Sequence, residues 1–183
     1  MLHLRTERLT LVAATLELVR AEAHGPQKLG ALLGAHVPPL WPPPLNDATT
    51  LAWTTKALAA DPEGAGWFAW YFLHREHGRL EAVGVGGFAG RPSVEGTVEV
   101  GYSILQSHHR LGFAPEAVRA LVDWAFTHRE VARVVARTLP ALVPSIRVLE
   151  KCGFTRAPAP EGEVCFELAR DAHERATGMR RGR

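Results

Sequence analysis

Three apolar segments between residues 66 and 105 follow one another with only short turns between them. The segments read GWFAWYFLH (66–74), RLEAVGVGGFAG (79–90) and TVEVGYSIL (97–105), and the turns REHG and GRPSVEG separate them. Aromatic and β-branched residues are enriched in strands, and successive strands joined by short turns pair antiparallel. The sequence therefore predicts a three-stranded antiparallel meander at the centre of the fold.

The segments on either side of the meander alternate between strand and helix patterns. The opening LHLRTERLTLVA alternates apolar and polar residues with a break near Thr6 to Arg8, which is typical of a bent or edge strand. The other predicted elements, in chain order, are a helix from Thr15 to Gly25, a helix from Asp47 to Ala60 capped by Asn46 or Asp47, a helix from Pro115, a strand over 131–139, a short helix over 144–153, and final strands around 154–158 and 163–170. This order predicts the α/β class, with a mixed sheet covered by helices in a single domain.

The overall composition narrows the class of protein further. The 183 residues carry a formal net charge of +2, and no lysine- or arginine-rich block precedes the last residues, so we expect no nucleic-acid partner. No apolar run is long enough to span a bilayer and the N-terminal segment is charged, so we expect no membrane association and a cytoplasmic location. Two cysteines, Cys152 and Cys165, do not suggest a disulfide framework. We expect the domain to span residues 1–170, followed by a basic, flexible tail over 171–183.

The helix that begins at Pro115 has the clearest pattern in the chain. Proline is favoured at a first helical position because its missing N–H group would have no partner there, and Glu116 places a negative charge in the first turn. The residues that would form one buried stripe at helical spacing are Val118, Leu121, Val122, Ala125 and Phe126. The sequence therefore predicts an amphipathic helix with an open N-terminus.

The turn ahead of this helix has the features of an anion site. Residues 110–114 offer a run of backbone N–H groups, and Gly112 and Ala114 are small enough for an anion to approach the main chain. Arg110 adds a positive charge, and a helix N-terminus favours phosphate. The same turn could also be an ordinary connection between a strand and a helix.

A second glycine-rich run offers a rival phosphate motif. Gly84, Gly86 and Ala89 spell G-x-G-x-x-A, which resembles the dinucleotide fingerprint and leaves a dinucleotide-dependent enzyme as one alternative. That fingerprint needs a helix after the glycines, whereas the turn GRPSVEG follows here. We therefore expect these glycines to mark a bulge or a close approach of backbones.

Three blocks of the sequence, in order, resemble one family. VEVGYSILQSHHRLGFAPEAVRAL looks like the acetyl-CoA-binding segment of the GNAT N-acetyltransferases, in the branch similar to the ribosomal-protein N-terminal acetyltransferases. The positions that match this segment are Glu99, Gly101, Tyr102, His109, Gly112, Ala114, Glu116 and Ala117. SIRVLEKCGF (145–154) resembles a second family block, and TERLTL (6–11) is similar to the first strand of the branch. Three spaced blocks are far more specific than one motif.

The resemblance implies a fold, a cosubstrate and a reaction. The implied fold is a single GNAT-like domain whose mixed, mostly antiparallel sheet has helices on both faces. The implied cosubstrate is acetyl-CoA, with its pantetheine arm along Ser103, Ile104 and Leu105 and its diphosphate on the turn formed by His109, Arg110, Leu111, Gly112, Phe113 and Ala114. The implied reaction moves the acetyl group to a primary amine, on a peptide or protein N-terminus or a small molecule, by direct attack in a ternary complex. A non-catalytic acyl-CoA-binding module is the alternative.

Two residues are the candidates for catalysis. Ser145, from its place in the second family block, is predicted to donate a hydrogen bond to the sulfur of the coenzyme; it could instead only cap a helix. Glu99 is predicted to act as the base or to anchor the acceptor amine, and it could instead be a surface carboxylate paired with an arginine. Three positions depart from the family pattern, namely His109 for Arg or Gln, Leu142 for Asn, and Leu149 for the tyrosine of other branches.

Several other residues have two interpretations each. Tyr102 could belong to the core or line the acceptor pocket, and Cys152 is expected in the core rather than as an acetyl-cysteine nucleophile. His74 and His77 in HREH are expected in a surface turn, so no metal is predicted. Trp41, in LWPPPL, could form a wall of the acceptor site or only a packed connector. An exposed edge strand would permit a homodimer.

Overall fold

The computed structural model describes residues 1–76 and 78–181, which form one eight-stranded sheet with six α-helices around it. The strands are β1 (His3–Arg5), β2 (Leu9–Ala13), β3 (Ala69–Glu76), β4 (Arg79–Phe88), β5 (Thr97–Ile104), β6 (Arg133–Thr138), β7 (Thr155–Ala157) and β8 (Val164–Ala169). The helices are α1 (Leu16–Ala23), α2 (Pro26–Leu33), α3 (Ala48–Ala60), α4 (Phe113–Thr127), α5 (Val143–Lys151) and α6 (Arg170–Arg181). The predicted α/β class is confirmed.

The order of strands in the sheet is β1-β2-β3-β4-β5-β6-β8-β7. Strands β3, β4 and β5 form the predicted antiparallel meander, and every neighbouring pair is antiparallel except β5 and β6. The parallel pair is short and ends where Glu99 of β5 lies opposite Val135 of β6. From Val100 to Ile104, β5 pairs with β4 alone among the described strands. The sheet therefore splits between β5 and β6, and the split leaves one edge of β5 open.

Helices pack on both faces of this sheet, as the family resemblance implied. One face carries α4 and α5 over a core that includes Trp70, Phe72 and Phe166, each fully buried. The other face carries α1, α2 and α3 over a second core that includes Tyr71. All five predicted stripe residues of α4 are buried. The burial of large apolar side chains on both faces is what holds the split sheet in place.

Side-chain and glycine caps set the ends of several helices. The side chain of Thr15 caps α1 and that of Asp47 caps α3, as the sequence predicted. Helix α2 was not predicted, because its eight residues include Gly30 and present only one buried leucine. Pro26 at its start and Gly34 in the left-handed conformation after its end supply the signals that define it. Helix α4 begins at Phe113, two residues earlier than the proline pattern indicated.

The strand predictions need two refinements. The predicted bent strand at the N-terminus is a hairpin, in which β1 and β2 pair antiparallel around the turn at residues 6–8. The predicted bulge and close approach in β4 are confirmed, since the register shifts beside Val83 and a Cβ atom on Gly84 or Gly86 would lie 2.6 Å from its nearest neighbour. A turn and then β5 follow these glycines, so they do not form a dinucleotide fingerprint.

The C-terminal segment differs from the predicted flexible tail. Residues 170–181 form α6, and His173 packs on Phe126 of α4 with ring centroids 4.9 Å apart. Residues 182–183 lie outside the described residues, as does His77. Within the described part of the chain, no helix is both long enough and apolar enough to cross a bilayer.

Candidate active site

The open edge of β5 presents backbone groups to the gap beside β6. The N–H group of Leu105 donates to Val83 and the carbonyl of Glu99 accepts from Ala89, so the odd-numbered residues of β5 point their backbone groups towards β4. The backbone groups of the even-numbered residues Tyr102 and Ile104 therefore point towards the gap. Three residues were predicted to pair with the pantetheine arm. The backbone groups of Ile104 point towards the gap, whereas those of Ser103 and Leu105 point towards β4.

The turn between β5 and α4 keeps a run of unpaired donors. Arg110 and Gly112 have φ angles of 62° and 84°, so left-handed residues flank Leu111 and make the concave backbone typical of anion sites. Within the described chain, none of the backbone N–H groups of residues 110–114 has an acceptor. The N–H group of His109 differs, because it donates to Gln106. The free donors thus begin one residue later than predicted.

Several of the predicted cofactor residues cannot contribute a side chain. The side chains of Ile104, Leu105 and Phe113 are buried in the two cores. The ring of His109 lies with Nε2 2.9 Å from the carbonyl oxygen of Ile104, so that ring nitrogen must carry the proton that is donated. The imidazole therefore ties the turn to the end of β5.

Ser145 and Tyr102 meet on the α4 and α5 side of the gap. The hydroxyl oxygen of Tyr102 lies 3.1 Å from Oγ of Ser145 and 3.1 Å from the carbonyl oxygen of Ser145. The residue at the N-cap of α5 is Leu142, and no side chain caps this helix. The helix-cap interpretation of Ser145 is therefore wrong, and its hydroxyl pairs with Tyr102 instead. Leu149, at the place of the missing family tyrosine, is buried.

The environment of Tyr102 keeps its hydroxyl protonated. Burial raises the pKa of Tyr102 to about 12, although the hydrogen bond with Ser145 lowers it in part. Cys152 of the same face is half-buried and packs against the core, with Sγ 3.5 Å from the carbonyl oxygen of Pro115. The prediction that Cys152 belongs to the core agrees with this position. The site therefore offers two neutral hydroxyl donors side by side.

The opposite face of β5 carries the second candidate residue. Glu99 lies 3.4 Å from Nη2 of Arg137, and both side chains keep substantial exposure, 36% and 55%. Ser103, on the same face as Glu99, donates a hydrogen bond to the carbonyl of Pro44. The carboxylate and the proline-rich loop thus lie on the face of the sheet away from Ser145.

A partly buried carboxylate anchors the proline-rich loop. The indole N–H of Trp41 donates to Oε1 of Glu22 at 2.6 Å, and the hydroxyl of Tyr71 donates to Oε2 at 2.7 Å. Burial raises the pKa of Glu22, and the two hydrogen bonds offset part of that effect. Trp41 is 8% exposed, so it packs as the anchor of the loop, and the loop backbone forms the wall beside Ser103.

Residues of the first hairpin also contact the turn before α4. The sequence patterns did not predict these contacts. Arg8 donates to the carbonyl of Leu111 and to Glu116, and Thr6 donates to Glu116 as well. Burial raises the pKa of Glu116, but the bonds from Thr6 and Arg8 outweigh it, so the net pKa lies below its ordinary value. The only sequence signal near these contacts was the family block TERLTL, which predicts a strand but does not indicate which residues that strand contacts.

No cluster of three or more metal-ligating side chains occurs in the described residues. His74, one of the two histidines in HREH, packs on Phe113 with ring centroids 4.7 Å apart. Its role there is packing beside the turn.

A sheet opened beside one parallel strand pair, with a helix N-terminus at the end of the opening, offers a strand edge and free backbone amides that suit a long ligand carrying phosphate. The family model described as an acetyltransferase (GNAT) domain matches residues 9–155. The chain therefore belongs to the GNAT acetyltransferase family, and it is an acetyl-CoA-dependent N-acetyltransferase. The interpretation as a non-catalytic binding module is set aside.

Individual relatives agree with this assignment. The uncharacterized N-acetyltransferase YjdG of Bacillus subtilis (strain 168) is 29% identical over 154 residues, which cover 84% of this chain and 90% of that protein. The ribosomal-protein-S5-alanine acetyltransferase of Vibrio fischeri has a TM-score of 0.64 at 16% identity, over 93% of this chain and 98% of that one. Microcin C7 self-immunity acetyltransferase MccE, in complex with acetyl-CoA and AMP, has a TM-score of 0.60 at 13% identity, over 90% and 93%. These two structures show a shared fold.

Proposed function

We propose that the protein acetylates the α-amine of a peptide or protein by direct attack on acetyl-CoA within a ternary complex. The observation that carries this proposal is the continuous path formed by the open edge of β5 and the unpaired N–H groups of residues 110–114. A strand edge can pair with the amide-bearing pantetheine arm, and the turn can hold the diphosphate. The folded domain that provides this path is proposed to include residues 1–170, and α6 packs on it through His173.

The residues present fit the cosubstrate. Gly112 combines a φ angle of 84° with a backbone that no side chain of its own covers, so a diphosphate can approach its N–H group closely. Phe113 is buried and the ring of His109 bonds to Ile104. Arg110 and Leu111, by contrast, are exposed, so the charge of Arg110 can add to the main-chain donors. Bound there, acetyl-CoA supplies an activated acetyl thioester.

The two faces of β5 divide the chemistry. Ser145, held by Tyr102, is proposed to donate a hydrogen bond to the sulfur as negative charge develops on it. A full proton transfer from the Tyr102 hydroxyl is unfavourable, because its pKa of about 12 lies above the ordinary thiol value of about 8.5. On the other face, Glu99 is proposed to bind the acceptor amine or accept its proton through water. Attack and departure thus occur on opposite sides of the strand.

The acceptor is proposed to be a peptide α-amine for two reasons. The branch resemblance implies a protein N-terminus as acceptor, and the Vibrio fischeri structure is named for an alanine of ribosomal protein S5. In addition, the proline-rich loop, bonded at Pro44 to Ser103, forms a wall on the acceptor side of β5, along which a peptide can lie.

An acceptor panel tests the proposal. We expect thiol release from acetyl-CoA with peptides that carry a free α-amine, and little release with the same peptides blocked at that amine or with polyamines and aminoglycosides. Release with polyamines alone would overturn the peptide assignment.

Initial-rate kinetics test the order of events with the same assay. Direct attack gives intersecting double-reciprocal lines, and Cys152→Ser retains activity because its thiol is not the nucleophile. Parallel lines together with an inactive Cys152→Ser variant would instead establish an acetyl-cysteine intermediate.

A further inference from the structure

We propose that Arg8, which lies in the turn of the first hairpin, is a positioning residue for the diphosphate-binding turn. The inference rests on the proposed function, because it assumes that the turn before α4 holds the diphosphate of acetyl-CoA. Arg8 acts through Leu111 and Glu116, and its loss is expected to weaken the binding of the diphosphate rather than the chemistry.

The contacts of Arg8 join two segments that lie more than 100 residues apart in the sequence. Its Nη1 donates to the carbonyl oxygen of Leu111 at 2.8 Å. Its Nε and Nη2 lie 2.8 Å and 2.6 Å from Oε2 of Glu116, in the first turn of α4. Its guanidinium also lies over the ring of Phe113, with Cζ 4.9 Å from the centroid. One side chain therefore contacts both the turn and the start of the helix.

The backbone of the first hairpin completes this arrangement. Oε1 of Glu116 accepts from the backbone N–H of Arg8 at 2.8 Å and from the hydroxyl of Thr6 at 2.6 Å. Both carboxylate oxygens are thus occupied, and the side chain of Glu116 is only 15% exposed. Charged groups that are this well bonded hold a fixed geometry.

These contacts explain how the turn keeps its shape. Arg110 is not glycine and yet has a φ angle of 62°, a conformation that persists only where the surroundings enforce it. The bond from Arg8 holds the carbonyl of Leu111, the next residue, on the hairpin side. Because a trans peptide places its N–H opposite its carbonyl, fixing this carbonyl directs the N–H group of Gly112 away from the hairpin. A Cβ atom on Gly112 would lie 3.1 Å from Nη2 of Arg8, so the guanidinium packs directly on this backbone.

The charge of Arg8 has a second consequence. Glu116 suits the positive end of the helix dipole, but an unpaired carboxylate in the first turn would repel a diphosphate. The ion pair with Arg8 removes this repulsion while the carboxylate still binds Thr6.

Two substitutions separate geometry from charge. Arg8→Lys keeps the positive charge but loses the planar fork that bonds Leu111 and Glu116 together, whereas Arg8→Ala loses both. We expect both variants to raise KM for acetyl-CoA by about tenfold to a hundredfold, the range for a lost hydrogen bond to a charged group. If Arg8→Lys matched the wild type, the positioning role would be overturned and the charge alone would matter.

A truncated cosubstrate distinguishes a loss of diphosphate binding from general damage to the enzyme, because general damage would lower activity with both thioesters. S-Acetylpantetheine lacks the diphosphate, so its kcat/KM should be unchanged in both Arg8 variants, measured with the same acceptor. Equal losses with both thioesters would overturn the proposal. The matched control is Arg91→Ala, which removes a bidentate pair with Asp61 (2.6 Å and 3.1 Å) far from the turn in sequence, and should leave KM for acetyl-CoA unchanged.

The proposed site itself is checked by Gly112→Ala in the same assay. If Gly112→Ala raises KM for acetyl-CoA and the Arg8 variants do not, the inference about Arg8 fails while the site stands. If neither raises it, the location of the diphosphate is wrong, and the proposed function fails with it.

Discussion

Tyr102 and Ser145 show how single side chains create a site that no local pattern contains. They are 43 residues apart. Their hydroxyls meet because the side chain of Tyr102 leaves β5 on the face of the sheet that α5 covers. Hydroxyls next to each other share one hydrogen-bond network, so each orients the other. The tyrosine that other branches of the family place in the helix is absent here, and Tyr102 of the neighbouring strand supplies the hydroxyl beside Ser145.

The hydroxyl pair gives a kinetic prediction. Ser145→Ala should lower kcat by about tenfold or more, with KM for acetyl-CoA nearly unchanged, because the lost hydrogen bond strengthens only as the thiolate forms. Tyr102→Phe should lower kcat less, and the double variant should be no worse than Ser145→Ala, since Tyr102 acts through Ser145. Steady-state kinetics of the three variants check this. A loss below tenfold in Ser145→Ala would argue against the donor role.

The carboxylate of Glu116 gives a prediction about pH. Its folded-state pKa lies below the ordinary value of 4.5, so the stability it contributes is complete above about pH 5 and is lost as the pH falls through the folded-state pKa. The difference in free energy of unfolding between the wild type and Glu116→Gln should therefore be largest near neutral pH and shrink in acid. Urea denaturation between pH 3 and pH 7 measures it. A difference that does not vary with pH would contradict the assignment.

At the scale of the elements, helix α4 carries the site at its N-terminus and is held at its C-terminus by Arg170. The guanidinium of Arg170 donates to the carbonyl oxygens of Phe126, His128 and Val131 at 2.6–2.9 Å. Carbonyl groups at the end of a helix have no partner within the helix, so a donor from outside is needed. The first residue of α6 therefore secures the far end of the helix that faces the cosubstrate.

Removing this cap should destabilise the protein. We expect Arg170→Ala to lower the free energy of unfolding by about 2–3 kcal/mol, because several part-buried carbonyls lose a charged donor together. Arg175→Ala in the same helix is the control, since the pair that Arg175 forms with Asp171 is exposed (68% and 70%) and should contribute less than about 0.5 kcal/mol. Equal effects in the two variants, measured by chemical denaturation, would show that Arg170 does not cap α4.

At the scale of the whole molecule, periodic patterns and turn signals predicted the meander, the main helices and the class of fold. These patterns failed where a short element, or a contact between residues far apart in the sequence, decides the structure. Helix α2 depends on its flanking Pro26 and Gly34 more than on an apolar stripe, and α6 is polar along its length yet packs His173 on Phe126. Spacing within the sequence cannot reveal such contacts, because they exist only after the elements pack.

The candidate site draws on both kinds of signal. The family blocks located the turn and Ser145, but the direction of backbone groups along β5 follows from its pairing with β4, which no spacing contains. The contacts of Arg8 with the turn span more than 100 residues and were equally hidden. Cytoplasmic location, homodimer formation and the absence of a nucleic-acid partner stay predictions.

The central claim is that backbone amides around Gly112 bind the diphosphate of acetyl-CoA. Calorimetric titration of coenzyme A into the wild type, Gly112→Ala and Gly162→Ala tests it most directly. Gly162 has a φ angle of 86°, close to the 84° of Gly112, so the two alanine variants carry a similar backbone strain at different places. We expect the wild type and Gly162→Ala to bind alike, and Gly112→Ala to bind at least about tenfold more weakly. A wild type that does not bind, or a Gly112→Ala variant that binds as the wild type does, would contradict the account.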